Sequence, residues 1–311
     1  MIEARQLTKF FGQSKVVDNV SFSVRKGEVL GFLGPNAAGK STTMRMIVGY
    51  LPPSAGTALI GGSDVTTDSL AARKKIGYLP ENAPAYQDMS VTAFLDFVAR
   101  IRGFSGAEKK RAIDATIEKC FLTEVRRQNV GTLSKGFKQR VCFAQSILHD
   151  PEYLILDEPT DGLDPNQKHE VRSMIRAMGR EKAIILSTHI LEEVDAVCTR
   201  AIVIAKGVIV ADDTPEGLRR MSAVHGCVNF TVPKASENEA LSAIRALEGV
   251  IKVEVLDRAG TDVVLRAYPA PGEAALADGV VKRLAQSGVA LSALDTEKGR
   301  LDEVFRRITQ R

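Results

Sequence analysis

The run Gly34-Pro35-Asn36-Ala37-Ala38-Gly39-Lys40-Ser41-Thr42 restricts the folds open to this chain more than any other segment. It fits G-x-x-x-x-G-K-[ST]. An apolar stretch over 28–33 precedes it, and a helical pattern over 40–48 follows. A strand, a loop and a helix open a parallel α/β unit. This is the context in which the pattern binds phosphate. Backbone N–H groups of the loop and the positive end of the helix dipole hold phosphate oxygens. In such a loop Lys40 reaches the β- and γ-phosphates, and the Ser41 hydroxyl ligates Mg²⁺. Residues Gly34 through Thr42 are therefore the expected nucleotide cradle.

A second motif supplies what the loop lacks. Tyr153-Leu154-Ile155-Leu156-Asp157-Glu158-Pro159 is an apolar strand ending in two carboxylates. Alone, it reads equally well as a strand running into a solvated acidic turn. Behind a phosphate loop, Asp157 is the expected second Mg²⁺ ligand, at the carboxyl end of a strand where open α/β sheets bind ligands. Glu158 is then placed to orient or deprotonate an attacking water.

The rest of the composition narrows the setting. Of 311 residues 44% are hydrophobic and 26% charged, with a net charge of +4, values ordinary for a globular protein and only mildly basic. Cys120, Cys142, Cys198 and Cys227 form no CxxC pair and lie near no histidine at ligand spacing. They read as small core residues of a reducing compartment rather than a zinc site. The first twelve residues lack the apolar centre of a signal peptide, and no segment approaches the roughly 20 apolar residues of a membrane-spanning helix. The expected location is the cytosol, with any membrane role exercised through a partner.

Along the chain, apolar runs at 21–24 and 29–33 flank a turn at 25–28. A mainly helical stretch over 91–148 carries Leu95, Val98, Ala99 and Ile101, then Ile113, Ile117 and Cys120, at helical spacing. Short apolar runs at 152–157 and 183–188 suit buried parallel strands, and 201–205 with 208–211 suit a hairpin. Composition shifts near Pro215. Beyond it the pattern predicts strands at 227–232, 250–256, 261–267 and 289–294, and helices at 236–247, 272–286 and 300–308. The first of these helices has Ser236 and Glu239 as a capping box. In 250–256, Ile251, Val253 and Val255 alternate with Lys252 and Glu254. The order β-α-β-β-α-β predicts a ferredoxin-like α+β domain over 221–311. Leu301, Val304, Phe305 and Ile308 share one face of the last helix, which is expected to pack on its own domain.

Over residues 1–220 the order and spacing of further motifs resembles the ABC ATPases. Leu133-Ser134-Lys135-Gly136-Phe137-Lys138-Gln139-Arg140 is similar to their signature, usually written LSGGQ. Gly162-Leu163-Asp164-Pro165 resembles the D-loop, Ser187-Thr188-His189 the switch histidine, and Gly77-Tyr78-Leu79-Pro80-Glu81 the Q-loop region. Phe11, just before Gly12, stands where an aromatic stacks on adenine. The resemblance implies a P-loop ATPase with a helical subdomain at about 91–148. It also implies that Ser134 and Gly136 bind the γ-phosphate of ATP held by another copy. Two ATPs are then sandwiched in a head-to-tail homodimer or heterodimer, with Asp164 across the seam. His189 contacts the γ-phosphate, and Glu81 joins Ser41 and Asp157 around Mg²⁺ as well as acting with Lys40, Glu158 and His189 in catalysis.

Four positions, in three motifs, depart from the family pattern. Ala37 replaces a glycine; at φ > 0 this costs about 1 kcal/mol and is expected to weaken nucleotide binding. Glu81 replaces glutamine and adds negative charge near the phosphates. Lys135 and Phe137 replace glycine and glutamine in the signature, and Lys135 adds a cation near the γ-phosphate that offsets part of the Glu81 charge. The Glu81 and Leu133-Ser134-Lys135-Gly136 variants resemble the ATPases that pair with ABC-2-type permeases, including gliding-motility and copper-processing export systems. The resemblance implies an ATPase peripheral to the inner face of the membrane, driving export through a separately encoded integral membrane permease and binding no nucleic acid. The permease is expected to grip the apolar, proline-containing segment 82–89 through Pro84 and Tyr86. A soluble ABC ATPase acting on ribosomes or DNA remains the alternative, although no second ATPase domain or long coiled coil is present. A GTPase or kinase reading leaves the signature and D-loop unexplained, and no NKxD motif occurs.

Overall fold

Both faces of the central strands are apolar, and this sets the architecture. In the computed structural model, residues 1–82, 85–258, 260–272 and 276–310 are described. In chain order the first elements are β1 (Ile2–Phe11), β2 (Ser14–Val24), β3 (Val29–Leu33), α1 (Lys40–Ile47), β4 (Ala55–Ile60), β5 (Ser63–Asp64), α2 (Ser69–Lys74), β6 (Ile76–Leu79), α3 (Val91–Ile101) and α4 (Gly106–Lys119). They continue as α5 (Lys135–Ile147), β7 (Tyr153–Asp157), α6 (Pro165–Gly179), β8 (Ala183–Thr188), α7 (Leu191–Val197), β9 (Arg200–Ala205), β10 (Val208–Asp213) and α8 (Pro215–Arg220). The last are β11 (Val228–Pro233), α9 (Glu237–Arg245), β12 (Val250–Asp257), β13 (Asp262–Pro269), α10 (Leu276–Gln286), β14 (Ala293–Thr296) and α11 (Leu301–Thr309). The chain divides into two units, Met1–Pro215 with Ile308–Arg311, and Glu216–Arg307.

The first unit holds two sheets. One runs β10-β9-β3-β8-β7-β6 and is parallel except for the β10 edge. The other, β2-β1-β4-β5, is antiparallel. On β7, Leu154 and Leu156 face one hydrophobic cluster while Tyr153 and Ile155 face another, and β8 repeats the division with Ile184 and Leu186 against Ala183 and Ile185. A strand buried on both faces carries an unbroken apolar run, as parallel sheets require. The first cluster extends into α3, α4 and α5, so the helical stretch shares a core with the sheet. Ser90 caps α3 by accepting from Ala93 N at 3.2 Å, and Ser134 caps α5 by accepting from Phe137 N at 3.4 Å. Ile101, expected on the apolar face, is the last residue of α3 and 68% exposed.

The parallel order puts three loops side by side. β3 pairs with β8 with Leu33 opposite Thr188, and β7 pairs with β8 with Asp157 opposite Ser187. The carboxyl ends of β3, β7 and β8 therefore deliver the phosphate loop, the acidic pair and His189 to one edge of one sheet.

The second unit is an antiparallel sheet, β12-β13-β11-β14, so each strand-helix-strand crossover skips one strand, as in the split βαβ motif. Val228, Phe230, Val263 and Leu265 meet Ile244 of α9 and Val280 and Leu284 of α10 in its core. Three local expectations are corrected. Ser236 makes no side-chain cap, because it ends a 3-10 turn over Lys234–Ser236 with φ −103° and ψ 9° rather than the extended conformation a cap needs. Ile251 is 67% exposed, because a register shift between Val250 and Lys252 breaks the alternation. The last strand covers Ala293–Thr296 rather than 289–294. Val289 and Leu291 pack on the core from irregular backbone, anchored where Ser292 N donates to Thr231 O at 2.9 Å.

Candidate active site

Glycine packing fixes where the phosphate loop runs. A Cβ on Gly34 would sit 2.5 Å from the Ile204 carbonyl oxygen, and one on Gly39 would sit 2.8 Å from that of Val16. The loop is thereby held against β9 and β2. Ala38 N donates to Pro35 O at 3.2 Å, and Gly207 N donates to Ala38 O at 3.1 Å. Within this frame Ala37 has φ +63° and Gly39 φ +105°.

The loop borders a cavity of about 360 Å³ lined by Asn36, Ala37, Gly39, Lys40, Ser41 and Thr42, with Val16, Glu81 and Glu158 closing it. Lys40 is buried. Its Nζ donates to Gly34 O at 2.7 Å and Pro35 O at 3.3 Å, and stands 4.0 Å from Glu158 Oε1. Burial lowers the Lys40 pKa, while the charges of Glu158, Asp157 and Glu81 act in the opposite direction. Lys40 Nζ is the cation that a phosphate entering this cavity would meet, and the carboxylates of Glu158, Asp157 and Glu81 around it leave the site in need of a further cation before it can hold a polyanion.

Asp157 is only 1% exposed, and neither carboxylate oxygen has a partner at hydrogen-bonding geometry; the buried Ser187 hydroxyl is equally unpaired. Burial raises the Asp157 pKa. The nearby Ser187 and Ser41 hydroxyls and the Lys40 charge oppose this, and Glu81 reinforces it. A buried carboxylate without partners is costly unless a cation completes it. Mg²⁺ fits this donor set, since it takes one or two protein oxygens and fills its octahedron with phosphate and water. Among the described residues no cluster of three or more His, Cys, Asp or Glu side chains forms a metal cage.

Glu158 adopts φ +50°, uncommon for a side chain with a Cβ, at the end of β7. Its N–H donates to Ser187 O at 2.9 Å, and its carbonyl accepts from Gln139 Nε2 at 3.5 Å. The turn aims the carboxylate into the cavity, with Oε2 3.0 Å from His189 Nδ1. With Glu158 ionised, Nδ1–H donates to it and leaves Nε2 free.

Other sequence-derived candidates stand elsewhere. Phe11, half exposed at the end of β1, lies 5.4 Å from Lys9 Nζ and does not line the cavity. Nor do Ser134, Gly136 and Asp164. They gather instead where α5 and α6 begin. Asp164 caps α6 by accepting from Gln167 N at 2.9 Å, and Gly136 packs so closely that a Cβ would meet Gln167 Oε1 at 2.1 Å. Pro84 lies outside the described residues. Tyr86 packs edge-on to Phe97, with ring centroids 5.4 Å apart, and lines a second cavity of about 860 Å³ with Tyr78, Phe94 and Phe104.

Sequence reasoning does not single out Val16, Gln139 or Glu193. Val16 reaches the cavity from a distant strand. Gln139 lies within the signature run, but its contacts with the Glu158 and Pro159 carbonyls are tertiary and leave no mark in the local pattern. Glu193 is fully buried on α7 with both oxygens unpaired, although its acidic neighbourhood reads as a solvated face.

A family model described as ABC transporter matches residues 17–161. An uncharacterized ABC transporter ATP-binding protein of Bacillus subtilis (strain 168) is 41% identical over 212 residues, covering 68% of this chain and 68% of that protein. A Nod factor export ATP-binding protein I of Rhizobium sp. (strain N33) is 36% identical over 255 residues, covering 82% of this chain and 83% of that one. A solved structure described as the ATP binding subunit of an ABC transporter matches with a TM-score of 0.66 at 29% identity, covering 71% of this chain and 92% of its own.

Proposed function

The chain belongs to the ATP-binding subunits of ABC transporters, and on that footing we propose that it is the ATPase of an exporter whose permease is a separate, ABC-2-type membrane protein. It binds and hydrolyses ATP. The observation that carries the reading of its site is the cavity of about 360 Å³ where Lys40, Ser41, Glu81 and Glu158 converge from three parts of the sequence.

In this reading the loop N–H groups of 34–42 and Lys40 hold the β- and γ-phosphates. Ser41 and Asp157 hold Mg²⁺, with Glu81 beside them. When bound, Mg²⁺ neutralises charge on the phosphates and orients the γ-phosphoryl group. Glu158 accepts a proton from the attacking water, and His189 fixes the direction of that carboxylate through the 3.0 Å contact at Nδ1. Phe11 stacks on the adenine. Ser134 and Gly136, at the start of α5, meet the γ-phosphate bound by a second subunit. The positive end of a helix suits that ligand. Asp164 lies at the seam.

The permease docks at the apolar groove that contains Tyr86, on the same unit as the ATP site. Among the described residues no helix is long and apolar enough to cross a membrane. The export direction rests on similarity to the Nod factor export relative.

Paired variants test the site. Lys40→Ala is expected to lose ATP binding in a nucleotide titration. Glu158→Gln is expected to bind Mg·ATP as the parent does, while turnover falls by about 10²-fold or more. Full turnover in Glu158→Gln would remove Glu158 from the chemistry.

A further inference from the structure

Lys135 is a departure from the family signature, and it makes a specific contact. It is the first residue of α5, and its Nζ lies 3.0 Å from Asp161 Oδ2 in the turn after β7. Gly162 makes room for it: with φ +67°, a Cβ there would sit 2.0 Å from Lys135 Nζ. One turn further along α5, Gln139 Nε2 reaches the carbonyls of Glu158 and Pro159 at 3.5 and 3.4 Å. The turn closes back on Glu158, with Asp161 N donating to its carbonyl at 3.2 Å. The start of α5 is thus clipped at two points to the segment that carries Glu158.

A cation in the first turn of a helix opposes the helix dipole. This site therefore asks for an anion, and Asp161 is the anion it has. Both side chains are more than half exposed (65% and 54%), so the pair is weak and exchangeable. A γ-phosphate presented by a second subunit at Ser134 and Gly136 offers more charge and more acceptor oxygens to the same ammonium.

We propose that Asp161 is an internal stand-in for phosphate: it holds Lys135 in the open protein and gives it up to the γ-phosphate of the partner-bound ATP when the dimer closes. Lys135 is then a γ-phosphate contact beside Ser134 and Gly136, and Asp161 a positioning residue that sets how much ATP closure requires. The inference rests on the sandwich reading above.

The test uses the full chain carrying Glu158→Gln, so that ATP persists, and follows dimer formation by sedimentation against Mg·ATP concentration. Asp161→Asn is expected to lower the half-saturating ATP by a few-fold, up to about fivefold, the limit set by an exposed ion pair. Lys135→Ala is expected to raise it, and Asp161→Asn added to Lys135→Ala is expected to change nothing further. ADP binding, which involves no γ-phosphate, is expected to be the same in all four proteins. An equal effect of Asp161→Asn with and without Lys135, or an effect on ADP binding, overturns the switch and leaves the sandwich standing. If the parent forms no ATP-dependent dimer, the sandwich and the switch fall together.

Discussion

Ala37→Gly asks where the strain of the phosphate loop is carried. Ala37 sits at φ +63°, a region that costs a residue with a Cβ roughly 1–2 kcal/mol. The sequence alone suggests that this cost falls on nucleotide binding. The loop's own bonds argue otherwise. Ala38 N to Pro35 O, Gly207 N to Ala38 O, and Lys40 Nζ to Gly34 O hold the geometry from within the protein. The strain then belongs to the folded chain. Glycine relieves about 1 kcal/mol of it but loses about 0.5–1 kcal/mol to its larger unfolded-state entropy. The net change in stability is expected to stay within about 1 kcal/mol, or a Tm shift of at most a few degrees. The ATP Kd should move by less than about twofold. Ala37→Val, β-branched in the same region, is expected to lower Tm clearly. Nucleotide titration and thermal unfolding, run side by side on the three proteins, decide the matter. Tightening of ATP by about fivefold or more in Ala37→Gly at unchanged Tm refutes the argument, since that is about 1 kcal/mol released on binding. Gly39 is different in kind. Its φ is +105° and a Cβ would lie 2.8 Å from a backbone oxygen, so Gly39→Ala is expected to distort the loop and abolish ATP binding.

Other outcomes follow from the same geometry. Asp157→Asn removes a buried carboxylate without partners. It is expected to stabilise the metal-free protein on the order of 1 kcal/mol in a thermal melt while abolishing Mg²⁺-dependent ATPase activity. His149 accepts no proton readily: burial, then the Arg102 charge, push its pKa from 6.5 down to about 4, despite its contact with Ile76 O. A depressed pKa means that its contribution to stability is present above pH 6.5 and is lost as pH falls from 6.5 through about 4. His149→Gln is expected to flatten that acid limb in unfolding titrations, and an unchanged limb removes His149 as its source.

What could be read in advance was local. The phosphate loop and the Asp157-Glu158 strand end each place their chemistry within a few consecutive residues, so strand-loop-helix patterning was enough to locate them. The apolar runs of β7 and β8 announced burial on both faces. What was not legible depends on distant pairing. The β2-β1-β4-β5 sheet brings Val16 to the cavity through contacts that no local pattern carries. Ile251 alternates correctly in sequence yet points outward, because a bulge is decided by the partner strand. Ser236 has the right residue type for a cap, but its backbone is committed to the turn before it. The φ of +50° at Glu158, which aims its carboxylate at His189, also has no signature in residue type. Gln139 and Asp161 gain meaning only once α5 is seen to lie along the turn after β7.

The central claim is that ATP turnover here drives a separate membrane permease. The most direct measurement tags Glu158→Gln, solubilises membranes of the native cell in mild detergent with Mg·ATP, and identifies what co-purifies. A stoichiometric integral membrane protein is expected, with a recovery that falls when the groove around Tyr86 is altered by Tyr86→Ala. Recovery in the soluble fraction with ribosomes, DNA or only itself contradicts it and makes the chain a soluble motor.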